Sequence, residues 1–273
     1  MAVLALVFTG QVQAAAGIYN SLLQISYNGV ANQNNYDWGS NLGVLTSFTL
    51  HGGANHTFKN SGGNVCSGTL YWRVYEEGAT PGSFNSLSLN FNANAPFTTP
   101  AVPSNVIGIT NASNNGVDQR WQDFSAGIDI LAEASLSGVY GTCVLEVYFE
   151  ATGENSSGGC SQTFFNNNGG INYQLYFEKP RLGTGTGNWS SGSSWSGGVV
   201  PTSGEPVAIA SGADITLDVN ATVSDLRINS GGTFSLSSQE LSIAADGRLQ
   251  QEGTFNANTG KVIFDGGSSS PVA

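Results

Sequence analysis

Residues 187–201 read GNWSSGSSWSGGVVP and divide the chain into two kinds of sequence. Before this stretch, aromatic-rich strand patterns are separated by long loops of Asn and Gly. After it, short apolar triplets recur between glycines. Trp189 and Trp195 can bury a large apolar area, and we expect this burial where two bodies meet. The sequence therefore predicts one domain over residues 17–182, a linker leading into the next domain over residues 183–201, and a second domain over residues 202–273.

The 273-residue chain is acidic, with 19 Asp and Glu against 8 Lys and Arg and a formal net charge of −11. Such a surface repels phosphate groups, so neither nucleic acid nor an anionic membrane is an expected partner. Charged residues make up 10% of the chain and hydrophobic residues 40%. This balance predicts packed cores rather than disorder. Amides and hydroxyls supply the polarity, which is typical of extracellular β-proteins.

Residues 1–16 have the features of the end of a secretory signal peptide. Residues 2–8 are apolar, and residues 12–15 offer small side chains for cleavage, but the basic leading segment is missing. An ordinary buried strand or helix is the alternative. The apolar run is shorter than the roughly 20 residues that span a bilayer. We therefore expect a secreted or cell-surface protein without membrane insertion.

Three cysteines, Cys66, Cys143 and Cys160, fit one disulfide and one leftover thiol in an oxidising compartment. Sequence alone leaves all three pairings open. We favour Cys66–Cys160, because both residues lie in loops rich in Gly and Ser, whereas Cys143 lies in a strand pattern and suits a small buried side chain. No Cys-x-x-Cys pair is present, which argues against zinc.

Strand patterns follow one another through residues 17–182. Apolar and outward side chains alternate in residues 70–75, and the same period of two recurs in residues 144–150 and 173–178. Short strands joined by loops predict an all-β fold, here an antiparallel β-sandwich. Further strands are expected at residues 18–27, 42–51 and 84–91, the last with Phe84, Leu87 and Leu89 on one apolar face. Residues 128–136 fit a helix, a turn or a short strand.

The second domain repeats a glycine followed by an apolar triplet, as in GADITLDV (212–219), GTFSL (232–236) and GKVIF (260–264). The repeats recur at intervals of roughly 20 residues, which is the pattern of a stacked β-solenoid, or β-helix. One coil cannot close a core alone, but stacked coils can. A sandwich of short hairpins is the alternative. The sequence stops soon after a strand without a capping element, which predicts a piece of a longer polypeptide.

Five segments of the first domain follow one another in a particular order: LYWRVYEEG (70–78), PGSF (81–84), DQRW (118–121), GVYGTCVLEVYFEA (138–151) and NNNGGINYQLYF (166–177). In this order they resemble a domain of large secreted surface proteins of Bacteroidetes-type bacteria. The resemblance covers most of residues 17–180. It implies a β-sandwich of unassigned activity and brings no catalytic residues with it.

The second domain opens with NWS (188–190) and SWSGGVVP (194–201), followed by triplets at residues 207–209, 217–219 and 226–228. This opening resembles the domain named for its eight conserved glycines, and it is similar to the solenoid repeats of bacterial surface proteins. The resemblance covers residues 187–255. It implies a right-handed β-helix of the kind that often precedes other domains.

The sequence contains no catalytic signature, and we expect a non-enzymatic protein. His51 and His56 are the only histidines. The Gly-rich segment around them predicts a loop, where histidine side chains are expected to titrate near neutral pH. Residues 183–187 lack the lysine of a phosphate-binding loop. Glu146 and Glu150 share one strand face, but at roughly 13 Å they are too far apart for a pair of glycosidase carboxylates.

Calcium is the one cofactor that the sequence leaves open. Asp37, Asn166 and Asn168 supply oxygen ligands from loops that a cation would stabilise. No calcium-binding repeat accompanies them, so ordinary turns built by Asn side chains are the alternative.

Four tyrosines form the strongest candidate binding surface. Tyr71, Tyr75, Tyr148 and Tyr176 all fall on the outward phase of three predicted strands. If these strands are neighbours, the rings form a stripe suited to stacking on sugars. The alternative is that a strand, a loop or the second domain covers them. The predicted function is adhesion or contact with polysaccharide or cell-surface glycan. An ancillary N-terminal region of a secreted polysaccharide-degrading enzyme, or a passive structural spacer, is the alternative.

Overall fold

The computed structural model describes residues 16–33, 37–59, 64–94, 107–108, 118–154 and 159–265. Within these ranges the protein is all-β, as predicted. Helix is limited there to 3₁₀ turns of three residues: Ile130–Ala132, Ala134–Leu136, Asn168–Gly170, Gly192–Ser194 and Ser196–Gly198. No helix in the described ranges is long and apolar enough to cross a membrane. The predicted cleavage region before Ala16 and the predicted uncapped end after residue 265 lie outside the described residues.

The first region, residues 16–179, forms a twelve-stranded sheet with the central order β2-β1-β4-β8-β6-β5-β10-β12-β3. β7 pairs with β1, β9 with β4 and β11 with β10. The strands are β1 (Ala16–Tyr27), β2 (Val30–Gln33), β3 (Asn41–Val44), β4 (Phe48–Lys59), β5 (Val65–Glu76), β6 (Asn85–Asn94), β7 (Ile107–Gly108), β8 (Gln119–Asp123), β9 (Ile128–Asp129), β10 (Gly141–Gly153), β11 (Gln162–Asn166) and β12 (Tyr173–Lys179).

The two halves of this sheet share one buried core. Leu23 and Leu50 from the half containing β1 and β4 belong to the same cluster as Leu145 from β10. Phe48 of β4 meets Phe177 of β12 edge to face, with ring centroids 5.1 Å apart. Along β5 the buried side chains alternate with more exposed ones, which is the period of two predicted from the sequence. In β10 this alternation holds from Val147 onward, whereas residues 143–147 are all buried.

Residues 42–51, predicted as one strand, are divided between β3 and β4. β3 ends at Val44 and β4 begins at Phe48. Asn28 organises the turn between them: its Nδ2 donates to Val44 O at 2.8 Å, and its Oδ1 accepts from Thr46 N at 2.9 Å. These two hydrogen bonds use the Val44 carbonyl and the Thr46 N–H, which a continuous strand would pair with a neighbouring strand, so the strand is interrupted there.

The structure corrects one further expectation about this region, that of Phe84, and decides between the alternatives for residues 128–136. Phe84 precedes β6 and packs on Tyr148, 4.9 Å between ring centroids, so it does not share the core face of Leu87 and Leu89. Residues 128–136 form the short strand β9 followed by two 3₁₀ turns. Asp129 caps the first turn by accepting a hydrogen bond from Leu131 N.

The histidine segment, predicted as a loop, lies inside β4. Gly52 and Gly53 resemble loop residues in sequence, but they mark a bulge where the β1–β4 register shifts. A Cβ at Gly53 would lie 2.6 Å from Leu22 O and 2.8 Å from the Phe149 ring. The glycines therefore allow close packing within a sheet, and they carry His51 and His56 in a strand rather than a loop.

Acidification from pH 6.5 to pH 4 is expected to destabilise the first region through His56. Burial, with a smaller contribution from Arg120, lowers the pKa of His56 from 6.5 to about 4. Between these values the unfolded chain binds a proton that the folded chain does not, so stability present above pH 6.5 is lost as the pH falls. At 1.36 kcal/mol per pKa unit the loss is about 3 kcal/mol.

The measurement is an NMR titration of the two histidine Cε1–H signals, assigned with the His51→Gln variant, together with urea unfolding at several pH values. The His56→Gln variant should lose about 3 kcal/mol less than the parent protein over this interval. An equal pH dependence in both proteins would contradict the assignment to His56.

The second region, residues 181–265, consists of three parallel sheets of four, four and three strands. From β15 onward the chain visits the three sheets in a fixed rotation, whereas β13 and β14 supply only the first two sheets. Partners pair in register, as Ile215 does with Phe234 and Phe234 with Phe255. The strands are β13 (Arg181–Gly183), β14 (Thr186–Asn188), β15 (Val207–Ile209), β16 (Asp214–Thr216), β17 (Ala221–Val223), β18 (Leu226–Ile228), β19 (Thr233–Ser235), β20 (Glu240–Ile243), β21 (Leu249–Gln251), β22 (Thr254–Asn256) and β23 (Lys261–Phe264).

The predicted linker, residues 183–201, contributes β14 to the second of these parallel sheets, whose pairing runs β14-β16-β19-β22. The expectation that the two tryptophans lie where two bodies meet is wrong. Trp189 and Trp195 belong to the core of the second region, with ring centroids 4.7 Å apart, and Trp189 lies 6.0 Å from Phe234. Trp195 Nε1 donates to Trp189 O at 2.7 Å, which satisfies the buried indole N–H.

The predicted pairing of Cys66 with Cys160 is confirmed. The disulfide joins residues 94 positions apart and ties the start of β5 to the segment that precedes β11. Cys143 is a buried free thiol, as expected, and burial raises its pKa to about 12. Cys143 is therefore protonated and unreactive at neutral pH.

Candidate functional site

The four predicted tyrosines lie on one outward face of β5, β10 and β12, which are neighbouring strands. Tyr71 stands directly opposite Tyr148 across the β5–β10 pair. Tyr75 and Tyr176 both stand opposite Val144, one on each side of β10. All four side chains are partly exposed. We call this surface the outer face; it also carries Arg73, Phe84, Glu146 and Phe165.

Aromatic rings pack together at one end of the outer face. Tyr71 and Tyr148 stack at a centroid distance of 4.6 Å, with ring planes 8° apart. The edge of Phe84 meets Tyr148, and Phe165 lies 6.2 Å from Tyr148. Each of the two stacked tyrosines covers one face of the other ring. Phe165 is 53% exposed and therefore offers the most accessible ring of the outer face. Sequence reasoning missed Phe165, although its place directly opposite Glu150 puts it on this face.

A buried carboxylate holds the centre of the outer face together. Glu146 is 3% exposed and forms a bidentate ion pair with Arg73, with N–O distances of 2.9–3.0 Å. Tyr75 Oη donates to Glu146 Oε2 at 2.8 Å, and Asn172 Nδ2 donates to Oε1 at 2.6 Å. The Arg73 guanidinium also lies 4.1 Å from the Phe84 ring centroid. Both members of the ion pair lie on the outward phase that singled out the tyrosines.

The titration of these groups follows from their contacts. Burial acts to raise the pKa of Glu146, but hydrogen bonds from Asn172, Tyr75 and Arg73 outweigh it and hold that pKa below its ordinary value. Burial, followed by the hydrogen bond to Glu146, raises the pKa of Tyr75. At neutral pH Glu146 is therefore an ionised acceptor and Tyr75 a protonated donor. This arrangement binds and orients polar groups and does not favour proton donation by Glu146.

Hydrogen bonds continue the outer face along β12. Tyr176 Oη donates to Gln174 Oε1 at 3.0 Å, and Gln174 Nε2 donates to Tyr75 Oη at 3.3 Å. Glu178 follows Tyr176 on the same face and accepts from Asn41 Nδ2 at 2.8 Å. The outer face thus changes from aromatic near Phe165 to polar and acidic near the second region.

The residues predicted as calcium ligands are occupied with internal contacts or stand apart. Asn166 Oδ1 accepts from Tyr173 Oη at 2.7 Å, and Asn166 Nδ2 donates to Ser21 Oγ at 3.0 Å. Asn168 Nδ2 donates to Asn172 O at 3.1 Å. Asp37 belongs to no cluster of three metal-ligating side chains within the described ranges. The calcium site stays a prediction.

The one such cluster in the part of the chain that the structure describes brings Glu154 next to Cys66 and Cys160. Both sulfur atoms are bonded to each other in the disulfide. Metal ligation by cysteine needs a thiolate, so the oxidised pair leaves Glu154 without a partner ligand.

Comparison with known proteins finds no relative: no protein-family model matches the chain, and no curated protein is significantly similar to it. The resemblances to Bacteroidetes-type surface proteins and to the eight-glycine domain therefore stay predictions that rest on the quoted motifs.

Proposed function

We propose that this protein is a non-enzymatic module of a secreted or cell-surface protein that contacts carbohydrate through the outer face. The observation that carries the proposal is the exposed Phe165 ring beside the Tyr71–Tyr148 stack, next to the hydrogen-bonded centre around Glu146. Exposed aromatic surface next to fixed polar groups is the combination that binds sugars, whose rings have an apolar face and a polar rim.

Rigidity supports this assignment. The ring-bearing residues sit on paired strands, and the ion pair of Arg73 with Glu146 fixes the side chains between them. A ligand that binds such a surface loses little free energy to ordering of the protein. A polysaccharide chain with a flat apolar face, such as a β-1,4-linked glycan, fits a flat sheet face better than a deep pocket.

We further infer that the first region is a β-sandwich and the second a right-handed β-solenoid. A common core between the two halves of the large sheet supports the sandwich. Three parallel ladders visited in rotation support the solenoid, and parallel crossovers within one sheet are right-handed in nearly all proteins. Both architectures, and a disulfide that needs an oxidising compartment, are typical of surface proteins.

Retention on insoluble polysaccharides tests the proposed surface. The purified chain is passed over cellulose, chitin, xylan and mannan, and the amount bound is measured as a function of protein concentration. We expect retention on at least one of them, and Phe165→Ala should weaken it roughly tenfold, since it removes the freest ring.

The matched control is Phe264→Ala. Phe264 is 54% exposed, compared with 53% for Phe165, but it lies on β23 of the second region. This variant should bind like the parent protein. Equal binding by both variants, or no retention on any of the four polymers as a passive spacer predicts, would contradict the proposal.

A further inference from the structure

A cleft opens where the polar end of the outer face meets the second region. Its volume is about 450 Å³, within the range of small-molecule sites. The first region contributes strands β3, β10 and β12 to its wall, and the second region contributes the turns before β15, β18 and β21. Its lining includes the side chains of Asn41, Thr142, Glu178, Ser224, Asp225, Asp246 and Arg248.

Glu178 is a buried charge in the wall of this cleft. It is 9% exposed, and its carboxylate accepts hydrogen bonds from Asn41 Nδ2 at 2.8 Å and Thr142 Oγ1 at 3.1 Å. None of the ion pairs within the described ranges involves it. Buried carboxylates in proteins are ordinarily paired with a cation. A cationic group in the cleft would supply that partner.

The charge of the lining favours a cation. Glu178, Asp225 and Asp246 line the cleft together with the single base Arg248. Three acidic groups against one basic group leave a formal charge of −2. The chain as a whole carries −11, so its field attracts cations towards the cleft.

The cleft is too open for a bare metal ion. Calcium needs six to eight oxygen atoms at roughly 2.3–2.6 Å. The three acidic side chains of the cleft form no convergent cluster among the residues that the structure describes, where such a cluster occurs only at Cys66, Glu154 and Cys160. A molecule that spans the distance between these carboxylates is needed instead.

Ser224 adds a hydroxyl oxygen that can accept a hydrogen bond from a ligand. Its Oγ is buried in the wall of the cleft beside the Asp225 carboxylate, and no group among the described residues donates a hydrogen bond to it. A buried acceptor oxygen without a donor gains free energy when a ligand hydroxyl donates to it. The cleft therefore combines a buried carboxylate outside any ion pair with an available hydroxyl oxygen, which fits a ligand carrying both an ammonium and hydroxyl groups.

We propose that this cleft binds a protonated amino sugar, with the ammonium group facing Glu178 and a ring hydroxyl facing Ser224. The site is separate from the aromatic end of the outer face and does not depend on polysaccharide contact there.

Isothermal titration calorimetry of the full chain with a β-1,4-linked glucosamine trimer tests the proposal. The N-acetylated trimer has the same backbone without the charge, and we expect it to bind at least tenfold more weakly. Glu178→Gln, which keeps the acceptor oxygen but removes the charge, should weaken binding of the amine form roughly 10- to 100-fold. Raising the salt concentration should weaken binding of the amine form as well.

Two further variants keep the test independent of folding. Asp246→Asn removes an exposed lining charge, and Ser224→Ala removes a hydroxyl oxygen to which no described group donates a hydrogen bond. Each should weaken binding of the amine trimer roughly 3- to 10-fold. Asp214→Asn, an exposed charge on β16 outside the cleft, is the matched control and should change nothing.

Four results would overturn the proposal: no binding of the amine trimer at low salt, equal binding of the N-acetylated trimer, an unchanged affinity in all three cleft variants, or tighter binding of spermidine. The last result would identify a polyamine site without sugar recognition. Phe165→Ala should leave binding of the trimer unchanged, so failure at the cleft and failure at the aromatic end of the outer face are distinguishable.

Discussion

Replacing Cys66 and Cys160 together by Ser is expected to lower the free energy of unfolding of the first region by about 4 kcal/mol. The disulfide closes a loop of 94 residues. Loop closure in the unfolded chain accounts for about 4–5 kcal/mol at this length, and the measured value for a native disulfide lies within 2–5 kcal/mol. Urea unfolding followed by circular dichroism measures the difference.

The control for this variant is Cys143→Ala. It also removes a cysteine sulfur, but from a buried free thiol, and burial of one atom of that size accounts for about 1 kcal/mol. A double Ser variant no less stable than Cys143→Ala would show that the bridge does not constrain the unfolded chain.

The bridge also ends two residues before β11, which carries Phe165, so its loss should loosen the aromatic end of the outer face.

The outer face illustrates how much of a binding surface a period of two predicts. Alternation within residues 70–75 and 144–150 places Tyr71, Arg73 and Glu146 on the outward side, and the structure agrees. What alternation cannot give is the lateral order of strands. β5 pairs with β10 although the two strands are about 70 residues apart in sequence, as the contact of Arg73 with Glu146 shows. No local sequence signal identifies such a distant partner.

Local signals also fail where one residue type serves two purposes. By composition Gly52 and Gly53 predict a loop, but they lie in β4. The Phe149 ring and the Leu22 carbonyl leave no room for a Cβ at Gly53, so this position in the strand requires glycine. Phe84 fits the apolar pattern of the strand that follows, but it precedes that strand and packs on Tyr148 and Arg73. In each case packing partners from distant strands decide the outcome.

Sequence periodicity succeeds better in the second region, because each parallel strand pairs with the next repeat along the chain. The triplets at residues 207–209 and 226–228 were expected to stack, and β15 and β18 pair in register. The acidic cleft, by contrast, is made of Glu178 from one region and Asp246 from the other. Neither lies in a motif, so the cleft has no signature in the sequence.

Trp195→Ala is expected to destabilise the second region by about 3–5 kcal/mol and to leave the first region unchanged. Trp195 is buried and contacts Trp189 edge to face at 4.7 Å. Removing it opens a cavity of indole size in the core, which costs about 3–5 kcal/mol for a buried aromatic residue. Differential scanning calorimetry should then show one transition at its original temperature and a second one at a lower temperature.

Trp195→Phe separates packing from hydrogen bonding in this core. Phenylalanine retains most of the ring but loses the N–H that donates to Trp189 O, so a loss of about 1–2 kcal/mol is expected. The difference in sequence character before and after residues 187–201 predicts two independent cores, and the buried clusters of the two regions share no residue. A single transition that shifts as a whole in Trp195→Ala would mean that both regions unfold as one cooperative unit. The contact that would couple them is that of the Arg181 guanidinium with the Tyr140 ring, at 3.9 Å.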